Sequence, residues 1–202
     1  MTISDQKTYF NIFCIDKRFD ALTTEYFQFI GFTANYYLGT TAGSGLCLGY
    51  QQYCGEICNC ECVHDNIPSC IPSCNPFNPD MQLLKDSLIK NIEIALTLDQ
   101  IKEIYLLNHQ DCGAIKAFLS CSGYPQTLGE NNPLEIKINT DLLLFAKEYI
   151  NRKFPDIKVR LGLLDINGSV ADFNEQYYSW NLIYRGLGVN PLGLWYNFSN
   201  YC

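Results

Sequence analysis

The sequence predicts an α/β fold, in which a mainly parallel β-sheet is flanked by helices in a single domain over residues 1–202. Short apolar runs alternate along the chain with helical apolar patterns, which is typical of a parallel sheet with helices on both faces. The 202 residues are 48% hydrophobic and 17% charged, a composition of globular rather than disordered proteins. This length is enough for one sizeable core.

The first quarter of the chain shows two strand patterns and one helix pattern. Residues 8–15 form an apolar run rich in β-formers, which predicts the first strand. Residues 19–30 have the apolar spacing of an amphipathic helix, and residues 32–38 predict the second strand. The glycine-rich segment 39–49 predicts a loop with no clear helix after it.

A cysteine-rich segment interrupts this alternation at residues 50–79. It has little periodic pattern, so cross-links must hold it if it is ordered. Its spacings admit a second, closed metal site, three disulfides or six free thiols. His64 could join the cluster as a ligand, shuttle protons or lie in a surface loop. The cysteines of this cluster are Cys54, Cys58, Cys60, Cys62, Cys70 and Cys74.

Regular patterns resume after the cysteine-rich segment. Asn78 as N-cap and Pro79 at the first helical position begin a helix, which carries leucine or isoleucine at every fourth position from Leu84 to Leu96. The aromatic residues of segment 177–202 favour core packing or a subunit contact. The remaining patterns predict strands over 104–107 and 157–166, helices over 114–119 and 134–154, and a hairpin turn at Asn167 and Gly168.

A motif with metal-ligand spacing follows the strand predicted at 104–107. His109 and Cys112 are three residues apart, and a helix pattern begins directly after them. A strand end that turns into a helix places both side chains at the carboxyl edge of the sheet, where open α/β folds bind ligands. The pair therefore makes half of a zinc site, although an ordinary loop with one buried cysteine would fit this stretch alone.

Cys14 supplies a third ligand if the first strand lies parallel to and beside the strand at 104–107. Two thiolates and one imidazole leave one position of a zinc tetrahedron free, which catalytic sites keep for water or substrate. Zinc lowers the pKa of bound water from about 15.7 towards about 7, which provides a hydroxide nucleophile. Arg18 would keep Asp16 ionised, so that Asp16 could orient this hydroxide or itself take the fourth position.

The two motifs together resemble those of the β-class carbonic anhydrases. They are Cys-x-Asp-x-Arg at residues 14–18 and His-x-x-Cys-Gly at residues 109–113. Segments 87–107 and 159–168 are also similar to the corresponding family segments. Two residues depart from the family pattern: Thr41 stands where the family usually has Asn, and Asn108 where it usually has Gly.

The resemblance implies the β-carbonic-anhydrase fold, with the cysteine-rich segment as an insertion. It implies reversible hydration of carbon dioxide to bicarbonate by a zinc-bound hydroxide. The zinc ligands would be Cys14, His109 and Cys112. Asp16 and Arg18 would form the catalytic pair.

The resemblance also implies where the substrate and other subunits bind. Gly113, together with Ala42 and Gly43, would contact carbon dioxide or bicarbonate, and the chain would form a homodimer or larger homo-oligomer. Two alternatives stay open, because the motifs do not separate them. One is a related zinc hydrolase of carbonyl sulfide or carbon disulfide, and the other is a catalytically silent structural or assembly protein on the same fold.

Charge and hydropathy limit the partners and the location. The net charge of −7 argues against sequence-independent binding of nucleic acid. No apolar run approaches the roughly 18 residues that span a bilayer, and residues 1–7 lack the build of a signal peptide. We therefore expect a soluble cytoplasmic protein that binds neither nucleic acid nor membrane, although the cysteine density would also suit an oxidising compartment.

Overall fold

Strands and helices alternate along the chain, as the sequence predicts. The computed structural model describes residues 8–31, 36–56, 79–118, 133–166, 168–174 and 179–184. Within these residues the strands are β1 (Tyr9–Cys14), β2 (Tyr36–Thr41), β3 (Glu103–His109), β4 (Lys158–Leu164), β5 (Val170–Asn174) and β6 (Ser179–Tyr184). The helices are α1 (Asp20–Phe29), α2 (Leu46–Glu56), α3 (Pro79–Asp99), α4 (Gly113–Phe118) and α5 (Pro133–Lys153), and a 3-10 turn at Lys17–Phe19 precedes α1.

The described strands form one mixed sheet in the order β2-β1-β3-β4-β5-β6. The pairs β1–β2, β1–β3 and β3–β4 are parallel, whereas β4–β5 and β5–β6 are antiparallel. Parallel neighbours need crossover connections, and helices supply them here. The predicted α/β class with a mainly parallel sheet is confirmed, and so is the pairing of the first strand with the third.

Helices pack on both faces of the sheet. Successive residues of β1 point to opposite faces, so Ile12 joins the core beneath α2, α3 and α5, while Phe13 joins the core beneath α1. Strand β3 divides in the same way, with Leu106 in the larger core and Leu107 in the smaller one. Because both faces of β1 and β3 are buried, their register is fixed, and with it the level at which each strand ends.

Helix α3 confirms the predicted apolar stripe. It begins at Pro79, and Leu88 and Ile92 of the stripe are fully buried against the sheet. Leu84 and Leu96, one turn further out on either side, are partly buried against the same core. The stripe therefore places α3 on the larger core, as its four-residue spacing requires.

Two segments differ from the prediction. Strand β2 runs from Tyr36 to Thr41, three residues beyond the predicted end at residue 38, because Gly39 to Thr41 pair with Ile12 to Cys14. Residues 32–35 lie outside the described residues. Helix α2 follows the glycine-rich turn where no helix was expected, and it includes residues 50–56 of the segment predicted to be irregular.

The later elements match the predicted ones closely. Helix α5 is shifted by one residue from the predicted range 134–154, and strand β4 lies inside the predicted range 157–166. Strand β5 returns antiparallel to β4, as the hairpin prediction requires. Of the aromatic segment 177–202, the described part is β6, which pairs with β5. None of the described helices is both long and apolar enough to cross a membrane.

Candidate metal centre

The predicted metal ligands meet at the carboxyl edge of the sheet. Strand β1 ends at Cys14 and the neighbouring parallel strand β3 ends at His109, so both side chains leave the sheet at the same edge. Cys112 lies in the turn between β3 and α4. All three side chains are buried, and their ligand atoms lie within 4.8 Å of one another.

The distance between the two sulfur atoms fits a shared tetrahedral metal. Cys14 Sγ and Cys112 Sγ are 3.8 Å apart, and both cysteines are free. Two zinc–sulfur bonds of about 2.3 Å at the tetrahedral angle place their sulfur atoms about 3.8 Å apart. A disulfide would require about 2.05 Å. The spacing is therefore that of two thiolates on one ion.

The His109 ring has one nitrogen available to bind the same metal ion. His109 Nδ1 lies 2.8 Å from the carbonyl oxygen of Gln110. Because a carbonyl only accepts, Nδ1 must donate, and the neutral ring then carries its lone pair on Nε2. Nε2 is buried and has no hydrogen-bond partner among the described residues. A buried polar atom without a partner is costly, and a metal ion bound by Nε2 would remove that cost.

The two thiols differ in how easily they ionise. The pKa of Cys14 is lowered to about 4, chiefly by hydrogen bonding from Cys112. The His109 ring and the Gly43 N–H, 3.3 Å from the sulfur, also lower it, and burial opposes them. The pKa of Cys112 is raised, because its proton is held by Cys14 and because its side chain is buried. One thiolate is thus present near neutral pH, and a divalent cation between the sulfur atoms would favour loss of the second proton.

The group contains three protein ligands. Within the described part of the chain, no fourth histidine, cysteine, aspartate or glutamate belongs to it. Structural zinc sites are closed by four protein ligands, whereas catalytic sites have three and leave a position for water or substrate. The donor set of two sulfurs and one nitrogen therefore fits a catalytic metal.

Asp16 and Arg18 form a close ion pair just beyond Cys14. The Arg18 Nε donates to both oxygens of Asp16 at 3.1 Å, and Arg18 Nη2 donates to Oδ2 at 2.6 Å. These bonds lower the pKa of Asp16 to about 2. The carboxylate is therefore ionised at neutral pH and, in this conformation, faces the guanidinium rather than joining the ligand group.

Asp111, which contacts this pair, and its two partners Lys116 and Glu135 were not predicted from the sequence. Asp111 accepts from Arg18 Nη1 at 2.8 Å, forms an ion pair with Lys116 and donates its backbone N–H to Glu135. The only available sequence signal was an acidic residue inside the His-x-x-Cys motif. Asp111 and Arg18 are 93 positions apart in the sequence, so the spacing of residues in the motif could not predict their contact.

The predicted substrate contacts lie in two places. Gly43 is buried in the turn between β2 and α2, with a φ of +78°, and its N–H donates to Cys14 Sγ. Ala42, half-buried, precedes it in the same turn, which the Thr41 hydroxyl stabilises by donating to the Ser44 carbonyl at 2.5 Å. Gly113 is exposed at the first residue of α4, directly after Cys112. Contact of these three residues with a substrate remains a prediction.

Asn108, a departure from the family pattern, connects the turn to α5. Its Oδ1 accepts from the Gly45 N–H at 3.3 Å, and its Nδ2 donates to Asn139 Oδ1 at 3.1 Å. Asn139 in turn donates to the Glu135 carbonyl at 3.1 Å. Asn108 and Asn139 are fully buried, so this series of hydrogen bonds fixes the turn between β2 and α2 relative to α5.

The cysteine cluster and His64 lie largely outside the described residues. Cys54 belongs to α2 by its backbone, and the structure does not describe its side chain. The choice among metal, disulfides and free thiols stays a prediction. The residues of the cluster that lie wholly outside the described part are Cys58, Cys60, Cys62, Cys70 and Cys74.

Glu135 gives the folded protein a specific pH dependence. Burial raises its pKa from 4.5 to about 7, so the folded state holds this proton more tightly than the unfolded state. Stability from this group is therefore fully present below pH ~4.5 and falls as the pH rises through ~7, by up to about 3 kcal/mol. Glu135→Gln keeps an oxygen for the Asp111 N–H and cannot ionise. We expect this variant to be up to about 3 kcal/mol more stable than the wild type at pH ~8 and nearly equal at pH ~4.5.

Urea unfolding of both proteins at the two pH values measures this difference. Glu148→Gln is the matched control, because Glu148 lies on the same helix with a half-exposed side chain in an ion pair with Arg152. A gain for Glu135→Gln that is the same at both pH values, or absent, would contradict the prediction.

Comparison with known sequences gives no activity for this chain. No family model matches it. An uncharacterized protein of Rickettsia bellii is 30% identical over 86 residues, which is 43% of this chain and 49% of that protein. An uncharacterized protein of Rickettsia conorii is 32% identical over 84 residues, 42% of each. The match therefore spans less than half the length of these curated relatives.

The solved structures that resemble this chain include β-carbonic anhydrases with low sequence identity to it. The β-carbonic anhydrase CcaA has a TM-score of 0.49 at 12% identity, over 88% of this chain and 84% of that one. The enzyme CafA of Aspergillus fumigatus has a TM-score of 0.38 at 12% identity, over 83% and 76%. A tetrameric β-carbonic anhydrase of Sordaria macrospora has 0.37 at 13% identity, over 83% and 81%. These likenesses are too distant to assign an activity, so the functional proposal rests on side-chain geometry.

Proposed function

We propose that this chain is a zinc enzyme that catalyses the reversible hydration of carbon dioxide to bicarbonate. The observation that carries the proposal is the convergence of Cys14 Sγ, His109 and Cys112 Sγ at one sheet edge, with an ionised Asp16 held by Arg18 two residues beyond the first ligand. Three ligands with one coordination position left open, beside a fixed carboxylate, suit activation of water.

Zinc is the metal that this donor set fits best. Two thiolates and an imidazole are soft-to-borderline ligands, which favours zinc over the oxygen-seeking magnesium and calcium ions. When bound, zinc supplies activation of water at neutral pH, which is the chemistry that carbon dioxide hydration needs.

The chain's own residues bind, orient and hold charge. The Gln110 carbonyl accepts from His109 Nδ1, which leaves Nε2 as the nitrogen that would bind the metal, and the Gly43 N–H supports the Cys14 thiolate. Asp16, ionised and held by Arg18, would accept a hydrogen bond from the reacting hydroxyl group and so orient its lone pair towards the carbon. Gly113, Ala42 and Gly43 are proposed to contact the substrate.

Metal analysis and a carbon dioxide hydration assay on the purified protein test this function. We expect about one tightly bound zinc ion per chain at this site and hydratase activity that chelation removes. Activity on carbonyl sulfide or carbon disulfide without hydration of carbon dioxide would support the related hydrolase instead. A zinc-loaded protein inactive on all three substrates would favour a structural or assembly role.

Replacing Asp16 tests the catalytic pair separately from the metal. Asp16→Asn keeps the shape of the side chain and loses its charge, so we expect full zinc content and a rate constant lowered about a hundredfold. Metal analysis and stopped-flow hydration measure the two quantities. Asp156→Asn, an exposed turn position, is the control and should behave as the wild type. Full activity of Asp16→Asn would remove Asp16 from the mechanism.

We also propose that the chain acts as a homodimer or larger homo-oligomer, as the family resemblance implies. Several large apolar side chains are exposed on the isolated chain, among them Phe29 at 63% and Leu38 at 50%. Light scattering of the zinc-loaded protein measures the assembly, and a monomeric mass at working concentration would contradict it.

A further inference from the structure

Two aspartates bind the guanidinium of Arg18 from different sides, and Nη2 donates to both of them. Asp16 binds the side formed by Nε and Nη2. Asp111 accepts from Nη1 through its carboxylate at 2.8 Å and from Nη2 through its backbone carbonyl at 3.0 Å. A guanidinium has five N–H donors, so the two aspartates do not compete for the same donor. Arg18 thus connects the end of β1 to the turn between β3 and α4.

Asp111 is itself held on several sides. Its backbone has a φ of +57°, in the left-handed region, and its N–H donates to the buried carboxyl of Glu135. One carboxylate oxygen pairs with Lys116 and the other with Arg18. The turn therefore offers Arg18 a fixed anchor, whereas Arg18 is half-exposed, with 50% of its side chain accessible.

The Asp16–Arg18 pair joins two side chains of one short segment, so by itself it does not fix where the carboxylate lies relative to the end of strand β3. Exposed ion pairs contribute little on their own, because solvent screens the charges and two long side chains lose freedom. Bidentate Arg–carboxylate geometry, which this pair has, and a network of several charges are the recognised exceptions, and Asp111 extends the pair into such a network. Without Asp111, the Asp16 carboxylate would keep only its hydrogen bonds from the Arg18 side chain and from the Arg18 backbone N–H at 3.0 Å, all within the short segment after Cys14.

We propose that Asp111 is a positioning residue that acts through Arg18 to hold the Asp16 carboxylate off the open coordination position of the metal. The proposal rests on the proposed function. Asp16 lies two residues from the ligand Cys14, and carboxylates are ordinary zinc ligands, so a released Asp16 could fill the fourth position. Asp111 would then determine how much of the protein keeps that position open for water.

Cobalt substitution tests this without reference to activity. The visible spectrum of Co²⁺ bound in place of zinc reports the ligand set, so a carboxylate in the fourth position changes it. We expect Asp111→Asn to change the wild-type Co²⁺ spectrum, and Asp16→Asn combined with Asp111→Asn to restore it. Asparagine tolerates a left-handed backbone, so the turn should persist. Metal stoichiometry should stay at the wild-type value in each variant.

The hydration rate should follow the spectrum. If Asp16 occupies the metal in about nine-tenths of the Asp111→Asn molecules, their kcat/KM falls about tenfold. In the Asp16→Asn background, Asp111→Asn should lower kcat/KM no further, because the effect passes through Asp16. Asp20→Asn is the matched control: it removes an exposed negative charge two residues from Arg18 and should leave spectrum and rate unchanged.

Arg18→Met provides a second route if Asp111→Asn fails to fold, and it should give the same spectral change. An unchanged spectrum in both variants overturns the proposal. A change that Asp16→Asn does not reverse also overturns it, because Asp111 would then act on the ligands directly. A wild-type protein that binds Co²⁺ but does not hydrate carbon dioxide contradicts the proposed function, while the spectra still decide the role of Asp111.

Discussion

Replacing Cys14 or His109 by alanine is expected to remove the metal and all hydratase activity. Each residue supplies one of three buried ligand atoms, and no other histidine, cysteine, aspartate or glutamate of the described residues belongs to the group. Losing a hydrogen-bond partner of a ligand typically costs about 10–100-fold in metal affinity, and losing the ligand itself should cost more. Zinc analysis after dialysis and stopped-flow hydration of carbon dioxide measure both losses.

Cys47→Ala is the matched control for these variants. Cys47 is also a buried free cysteine, but it lies on α2 outside the ligand group, and burial raises its pKa to about 12. Its loss should cost about 1 kcal/mol of stability and leave the zinc content unchanged. If Cys14→Ala kept its full complement of zinc and its activity, the catalytic metal would have to lie elsewhere in the chain.

The ligand group could be predicted from the sequence because strand pairing decides it. The apolar runs before Cys14 and His109 are continuous, which is typical of strands buried on both faces, and adjacent parallel strands end at the same edge. One assumption was needed, that the first strand lies beside the third, and the structure confirms it. What the sequence could not show was the conformation of Asp16, since its pairing depends on side-chain geometry.

The residues around Arg18 were not predictable for a different reason. Asp111 meets Arg18, and Glu135 meets Asp111, only after β1, β3 and α5 have packed, and neither carries a pattern that marks such contacts. Long-range ion pairs leave no periodic trace in a single sequence. Asn108 is similar: its departure from the family pattern is visible, but its partners, Gly45 and Asn139, are not.

Helix α2 was missed because its glycines oppose the helix on local propensity. Glycine costs about 1 kcal/mol relative to alanine within a helix, so a segment that contains Gly49 and Gly55 reads as irregular. Packing against α5 outweighs that cost. Gly49 lies directly against the α5 backbone, so the absence of a side chain there allows the two helices to approach closely.

Gly49→Ala is expected to destabilise the protein by about 3 kcal/mol, although helix propensity alone would favour alanine by about 1 kcal/mol. A Cβ at this position would lie 2.3 Å from the Leu142 carbonyl oxygen and 3.2 Å from the Ala146 nitrogen. Both are backbone atoms of α5, so no side chain can turn aside, and α2 must move away from α5. Urea unfolding of the variant against the wild type measures the loss.

Gly45→Ala separates close helix contact from any general effect of replacing a glycine. A Cβ there would meet only side-chain atoms, the nearest being Ala146 Cβ at 3.4 Å, so its cost should stay within about 1 kcal/mol. Because α2 follows directly on the turn whose Gly43 N–H supports Cys14, Gly49→Ala should also weaken zinc binding, and Gly45→Ala should not. Equal stability losses in the two variants would mean that the approach of α2 to α5 is not what requires glycine at position 49.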